Sequence, residues 1–95
     1  MFVTTVDGSV SSDREQDLRD AWKRETTRPR PAGLIESLLL SGADGHWRIV
    51  TVWESREAVM AMRAAGPPAA LVMFESAGSS ATVSMWMVDG ILLPL

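Results

Sequence analysis

The 95-residue sequence contains no cysteine and no tyrosine, and His46 is its single histidine. Without cysteine there can be no disulfide, no thiolate metal site and no cysteine nucleophile. Without tyrosine, any mechanism that needs a phenol is excluded. Nine Lys and Arg residues against 12 Asp and Glu residues give a formal charge of −3, and the bases alternate with acids instead of clustering. Because nucleic-acid binding requires clustered bases that neutralise phosphates, a nucleic-acid partner is not expected.

The sequence also lacks long apolar runs and a recognisable secretory leader. No run approaches the length that crosses a membrane, and Met1 leads directly into a short strand-like segment. We therefore expect a cytoplasmic protein with no membrane partner. The length favours one domain over residues 1–95.

Basic residues end at Arg63, and the remaining 32 residues hold only two charges, Glu75 and Asp89. The chain then ends in the apolar run of residues 91–95. A solvated tail of this composition would be a sticky patch. We expect it to pack on a partner subunit; a disordered end is the alternative.

Hydrophobic periodicity and turn residues predict four strands and two helices with a short third helix. A capping-box spacing, Ser12 to Glu15, predicts the start of the first helix, and Ser55 predicts an N-cap for the second. Asp7-Gly8 is expected to end the first strand. The apolar run Leu71-Val72-Met73-Phe74 has no clear period, so a strand competes with the short helix there. The predicted strands are 2–6, 34–40, 46–53 and 81–88, and the predicted helices are about 13–26, 55–65 and 69–76, with 34–40 and 46–53 forming a hairpin.

The order βαββαβ predicts an α+β, ferredoxin-like fold with a four-stranded antiparallel sheet and both main helices on one face. Alternate residues of a strand point to opposite faces. In the second, third and fourth strands both alternating sets are largely apolar, whereas a sheet with one wet face would show polar residues at every second position. Helices can cover only one face. We therefore expect a homodimer in which two sheets pack face to face about a two-fold axis.

Two segments carry a family resemblance: Pro-Ala-Gly-Leu-Ile-Glu-Ser-Leu-Leu over residues 31–39 and Trp-Arg-Ile-Val-Thr-Val-Trp-Glu-Ser-Arg-Glu-Ala over residues 47–58. They resemble the antibiotic biosynthesis monooxygenase-like family of the dimeric α+β barrel superfamily. The resemblance implies a homodimer whose two sheets form a barrel. Some members oxidise aromatic polyketides with molecular oxygen and no metal, flavin or haem; others degrade haem, and many have no assigned activity. The haem degraders need an axial histidine, and residues 60–68 contain none. Haem degradation and a bound cofactor are therefore not expected.

Four tryptophans are many for this length, and large aromatic side chains commonly fill protein cores. The functional alternative is that three of them line a pocket between helices and sheet, where a flat aromatic substrate stacks and accepts a hydrogen bond from an indole. Trp53, at the position that the family motif gives it, and Glu36, whose carboxylate would be a base if buried, are the candidate catalytic residues. A solvated edge-strand position is the alternative for Glu36. The candidate substrate-binding residues are Trp22, Trp86, Met62, Phe74 and Arg48, of which Arg48 would hold an anionic oxygen or lie on the hairpin surface.

These expectations combine into two functional hypotheses. The first is a cofactor-independent monooxygenase acting on a hydrophobic aromatic metabolite. The second is a non-catalytic homodimer of the same fold that binds a small molecule or helps assemble a pathway. The tryptophan-rich pocket and the resemblance favour the first, whereas the absence of an unambiguous base favours the second.

Overall fold

The computed structural model describes residues 1–93 and has the βαββαβ order that the sequence predicts, with a third helix before the last strand. Four strands form one antiparallel sheet in the order β2-β3-β1-β4. The strands are β1 (Phe2–Ser9), β2 (Leu34–Ser41), β3 (His46–Trp53) and β4 (Ala81–Met87), and the helices are α1 (Glu15–Thr26), α2 (Arg56–Ala64) and α3 (Ala69–Ser76). The predicted α+β, ferredoxin-like architecture is confirmed, as are the β2–β3 hairpin and the short helix α3.

The start of α2 and the end of α3 follow the local signals in the sequence. The Ser55 hydroxyl accepts a hydrogen bond from the backbone N–H of Ala58 at 3.2 Å, which satisfies one of the free donors at the helix N-terminus. Gly78 has a φ of +70°, the left-handed conformation that commonly follows a helix and that glycine adopts without a steric penalty. The predicted N-cap at Ser55 is confirmed.

Strand β1 extends three residues beyond its predicted end. Asp7-Gly8 does not terminate it, because each of the two residues fits a contact with a distant part of the chain. The Asp7 carboxylate is held by Arg48 on the neighbouring strand. A Cβ at Gly8 would lie 2.8 Å from the Ser79 hydroxyl and 2.9 Å from the Phe74 ring, so this glycine leaves the space in which Phe74 packs.

The predicted capping box at Ser12 is wrong. Residues Ser12–Arg14 form a 3₁₀ turn, α1 begins at Glu15, and neither element start has a side-chain cap. The Arg14 side chain instead binds two elements, donating to Asp17 at 2.6 Å and to the backbone carbonyl of Ser76 at 2.9 Å. This link from the start of α1 to the end of α3 replaces the local cap.

All three helices lie against one face of the sheet, here called the helix face. It is buried at its centre and includes Val6, Ile49 and Trp47, with Leu18 of α1 and Phe74 of α3 packed above them. Within residues 1–93, the opposite face carries no helix. We call it the outer face; it includes Val3, Thr5, Asp7, Glu36, Leu38, Leu40, His46, Arg48, Val50, Val52, Thr82, Ser84 and Trp86.

After β4, the chain continues along the N-terminus of β1, and the Val88 backbone N–H donates to the Met1 carbonyl at 3.1 Å. Ile91, Leu92 and Leu93 are exposed. Residues 94 and 95 of the predicted partner-binding tail lie outside the described residues, so its packing stays a prediction. Among the helices described, none has the length and apolar character needed to cross a membrane.

Candidate functional site

A cavity of about 250 Å³ lies between the helix face of the sheet and the helix layer. Its floor is formed by side chains of all four strands, and its walls by the three helices and the loop between α1 and β2. The lining residues are Thr4, Val6, Leu34, Ser37, Ile49, Thr51, Trp53 and Val83 on the floor, and Trp22, Glu25, Thr26, Arg28–Pro31, Met62, Arg63, Pro68, Ala69, Ala70 and Met73 around them. A largely apolar concavity with a few polar groups is the usual form of a small-molecule site.

The floor contains a buried hydrogen bond between an indole and a hydroxyl. The Trp53 Nε1–H donates to the Thr4 Oγ1 at 3.0 Å, and both residues are less than a tenth exposed. This bond fixes the indole plane against β1. It also means that the Trp53 N–H is already used, so the nearly fully buried indole contributes apolar surface to the floor and no hydrogen-bond donor.

A second hydroxyl pair lies across the β2–β3 ladder. Ser37 Oγ and Thr51 Oγ1 are 2.8 Å apart on directly paired residues. One hydroxyl donates to the other, so the second keeps a proton that can be donated elsewhere. The floor therefore offers hydroxyl donors within an otherwise apolar surface.

The charged lining residues all lie on the helix side of the cavity. Three are arginines, Arg28, Arg30 and Arg63, and one is a carboxylate, Glu25. Arg28 Nε lies 3.7 Å from Glu25 Oε2, and the Arg28 side chain is 73% exposed, so this pair is a loose surface contact. Glu25 is thus the single carboxylate among the described residues that line the cavity.

The structure brings three of the residues predicted from sequence into this cavity: Trp22, Trp53 and Met62. Phe74 is near them in the fold but does not line the cavity. Its side chain is fully buried in the core, where it packs over Gly8.

The other three, Trp86, Glu36 and Arg48, lie on the outer face, and the structure does not bring them to the cavity. Trp86 is 59% exposed, and its indole N–H donates to the Thr5 hydroxyl at 3.1 Å. Glu36 is exposed because a bulge between Leu34 and Glu36 breaks the alternation of β2: Leu34 faces the helices, and Glu36 faces away. The solvated alternative for Glu36 therefore describes its position.

Arg48 belongs to a small charged group on the outer face. The Asp7 carboxylate accepts hydrogen bonds from Arg48 and, at 3.2 Å, from His46 Nε2. Burial acts to raise the pKa of Asp7, but the hydrogen bonds and positive charges of Arg48 and His46 outweigh it and hold the pKa below the usual 3.8.

The residues around the cavity do not fit a haem. Histidine, cysteine and tyrosine are the side chains that most often bind haem iron as the proximal ligand. The chain has no cysteine or tyrosine, and His46 lies on the other side of the sheet. Within residues 1–93, no group of three or more His, Cys, Asp or Glu side chains is arranged to hold a metal ion.

Comparison with solved structures gives full-length matches at low sequence identity. A candidate antibiotic biosynthesis monooxygenase from Deinococcus radiodurans superimposes with a TM-score of 0.76 at 18% identity, over 100% of this chain and 99% of that one. The cofactor-independent oxygenase SnoaB from Streptomyces nogalater, in a mutant form, gives a TM-score of 0.69 at 20% identity over 96% of each chain. The chain has the antibiotic biosynthesis monooxygenase fold. The haem degrader MhuD from Mycobacterium tuberculosis, solved with two haems in its active site, has the same fold, with a TM-score of 0.70 at 20% identity over 97% of this chain and 99% of that one. No family model and no curated protein matches the sequence.

The resemblance noted in the sequence is thus confirmed for the fold. Identities of this size leave the reaction open, because one monooxygenase fold serves both an oxygenase and a haem degrader. The choice between these functions depends on the residues of this chain.

Sequence reasoning missed Glu25 and the cavity arginines as functional candidates. A signal for Glu25 was present, since it continues the helical spacing of Leu18, Ala21 and Trp22 along one side of α1. No comparable signal exists for Arg28 and Arg30, because a loop has no period that indicates which side faces a cavity.

Proposed function

We propose that this protein is a cofactor-independent monooxygenase that acts on a hydrophobic aromatic metabolite bound between the helices and the sheet. The observation that carries the proposal is the cavity itself, which combines apolar walls, two indoles and hydroxyl donors on its floor. A planar ring system suits this lining because the half-buried Trp22 offers a large apolar side chain at the wall and the buried Trp53 underlies the floor. The fold shared with SnoaB is consistent with the proposal.

Oxygenation without a cofactor requires the substrate to supply the electrons. Loss of a proton from an activated CH₂ group gives a carbanion, which reduces O₂ and forms a C–O bond. Cleavage of the O–O bond then releases water and leaves a carbonyl, so that CH₂ and O₂ become C=O and H₂O. The protein has to bind the substrate, accept the proton, stabilise the anion and exclude bulk water.

The lining residues can divide these tasks among themselves. Glu25 is the carboxylate available to accept the proton, and the Ser37–Thr51 pair holds a hydroxyl proton that can be donated to an oxyanion. Trp53, locked by Thr4, keeps the apolar floor beneath the substrate in a fixed position, and Trp22 is the indole against which the substrate would stack. The base role predicted for Glu36 receives no support from its position on the outer face.

One observation favours the non-catalytic alternative, a homodimer that binds a small molecule or helps assemble a pathway. Glu25, the candidate base, lies within 3.7 Å of Arg28 and is not on the hydroxyl-lined floor. A general base has to lie within hydrogen-bond reach of the proton that it accepts, and Glu25 is on the helix side of the cavity, away from the hydroxyl donors of the floor.

Both alternatives include a homodimer in the cytoplasm, formed through the outer face. This face carries exposed Leu38, Leu40 and Trp86 around the half-buried Val50 and Val52. A second copy packed against it would remove this apolar surface from water. A contact about a two-fold axis would be self-complementary.

Oxygen consumption with anthrone as substrate tests the proposal. We expect uptake that Trp53→Phe slows and that Glu25→Gln slows by about 10²–10⁴-fold, the usual contribution of a general base. Glu57→Gln, an exposed carboxylate of α2 outside the cavity, is the matched control. Glu36→Gln tests the earlier assignment of the base separately. The proposal is wrong if anthrone and other electron-rich aromatics bind to the protein but none of them stimulates uptake.

A further inference from the structure

The arginines around the cavity have no part in the oxygenation chemistry, yet they are concentrated at this site. Three of the nine basic residues of the chain line the cavity, against one of its twelve acids. The chain as a whole is negative, with a formal charge of −3. A local excess of positive charge at a concave site in an acidic protein attracts anions to that site.

Two of these arginines lie on a segment that restricts their backbone. Arg28 and Arg30 alternate with Pro29 and Pro31 in the loop between α1 and β2, and all four residues line the cavity. Proline fixes its own φ and biases the residue before it towards an extended conformation. The loop therefore restricts the backbone positions of both arginines before any ligand arrives, which lowers the backbone part of the entropic cost of binding; the side chains still have to become ordered.

The far end of this loop is fixed as well. Gly33 has a φ of +83°, and a Cβ there would lie 2.5 Å from the Ala58 Cβ, so the loop contacts α2 closely. The Gly33 carbonyl accepts a hydrogen bond from the Glu54 backbone N–H at 2.8 Å. This contact places the loop beside α2, the helix that contributes Arg63.

The guanidinium groups are available for a ligand. Among residues 1–93, the ion pairs of the cavity arginines consist of the loose Arg28–Glu25 contact alone; Arg30 and Arg63 have no carboxylate within 4.0 Å. A guanidinium group binds a carboxylate through two parallel hydrogen bonds, a geometry that a neutral oxygen does not satisfy.

We propose that the ligand of this cavity is an aromatic carboxylate, whose rings lie against Trp22 above the floor that Trp53 forms and whose carboxylate is bound by Arg63 together with Arg28 or Arg30. The inference specifies the ligand class for the function proposed above and rests on the same cavity. It requires no turnover, however, because it concerns binding alone.

Calorimetric titration with two probes of the same shape tests this inference. Naphthalene-2-carboxylate carries the charge, and 2-naphthalenemethanol replaces it with a neutral hydroxyl. We expect the carboxylate to bind about tenfold more tightly, as a charge-assisted contact at a partly exposed site implies. The preference should shrink as salt is added, because exposed charges are screened.

Substitutions distinguish binding by the cavity arginines from an effect of the net charge of the protein. Arg63→Gln should remove most of the preference for the carboxylate and change the affinity for the neutral probe much less, and Arg63→Lys should restore part of the preference. Arg28→Gln and Arg30→Gln should each weaken the carboxylate alone. Arg56→Gln is the matched control: it lies on the same helix, changes the net charge equally and does not line the cavity. Thermal melting of each variant checks that it is folded.

The possible outcomes distinguish this inference from the function on which it rests. Equal affinities for the two probes, or an Arg56→Gln variant as weak as Arg63→Gln, would overturn the anion site and leave an aromatic-binding cavity intact. If neither probe binds, both the inference and the proposed function fail. If the carboxylate is preferred but anthrone stimulates no oxygen uptake, the inference stands and the oxygenase proposal fails.

Discussion

The hydrogen bond from the Trp53 indole to Thr4 is the structural feature on which the floor of the cavity depends, and replacing Thr4 with valine tests it directly. Valine keeps the shape of threonine and removes the acceptor. The indole N–H, which is on a residue only 3% exposed, would then have no partner. Leaving a buried donor unsatisfied costs about 1–3 kcal/mol. For a domain of this size each kcal/mol corresponds to a fall in Tm of about 4–8 °C.

The chain supplies a close comparator for this substitution on the neighbouring residue. Thr5 also accepts a hydrogen bond from an indole N–H, that of Trp86 at 3.1 Å, but on the outer face and with Trp86 59% exposed. In Thr5→Val the freed N–H can turn to water, so the loss in a dilute sample should be within about 0.5 kcal/mol. The same chemical change on two adjacent residues should therefore give clearly different losses.

The assay is urea denaturation followed by tryptophan fluorescence, with the double variant Thr4→Val/Trp53→Phe added. Because Trp53→Phe removes the donor that Thr4→Val leaves unpaired, the double variant should lose less stability than the sum of the single variants. A Thr4→Val protein as stable as the parent, or single losses that add without coupling, would refute the described floor geometry.

Three further substitutions test other parts of the structure. The pKa of Asp7 is lower in the folded state than its usual 3.8, so its ionised carboxylate stabilises the fold at pH values above 3.8, and this stabilisation is lost as the pH falls through the lower folded-state pKa. Asp7→Asn should remove this part of the acid dependence of stability in urea titrations between neutral pH and about pH 3. Gly8→Ala should cost about 1–3 kcal/mol of stability by overpacking, because its Cβ would lie 2.8 Å from the Ser79 hydroxyl. Gly90→Ala should cost almost nothing, since no atom of residues 1–93 lies within 4 Å of the added Cβ. Equal losses on thermal melting would contradict the packing described. Leu38→Lys on the outer face should shift the protein to monomers in sedimentation. Met60→Lys on α2 should not, although Met60 is 49% exposed and Leu38 is 47% exposed. A dimer that survives Leu38→Lys would count against the sheet-to-sheet contact.

The sequence predicted the order and type of the elements because those depend on local signals. Strand β3 matches its predicted range, and the N-cap at Ser55 is present. The errors occur where a distant contact decides. Asp7-Gly8 has the composition of a turn, but Arg48 and Phe74, far along the chain, make both residues part of β1. Ser12 has the spacing of a cap, but Arg14 bonds to Ser76 and fixes the helix start differently.

The site was less predictable than the fold because strand alternation sorts residues into two sets without saying which set faces the helices. In β4 the set containing Trp86 also contains Thr82 and Ser84, and its greater polarity indicates the outer face. In β2 even the sorting fails: the bulge after Leu34 separates two residues that simple alternation places together, Leu34 and Glu36. A bulge depends on pairing between strands and leaves no clear trace in a single strand.

Strand β1 connects the two surfaces on which the proposals depend. Thr4 faces the helices and holds Trp53 at the floor of the cavity, and Thr5 faces outwards and holds Trp86 where a second copy would pack. Since the two hydroxyls belong to adjacent residues of a central strand, a shift of β1 that accommodates a ligand would move both indoles together. Packing a second sheet against the outer face would restrain that strand and so keep the cavity floor in a defined position. The homodimer is therefore consistent with a rigid binding site as well as with burial of an apolar surface.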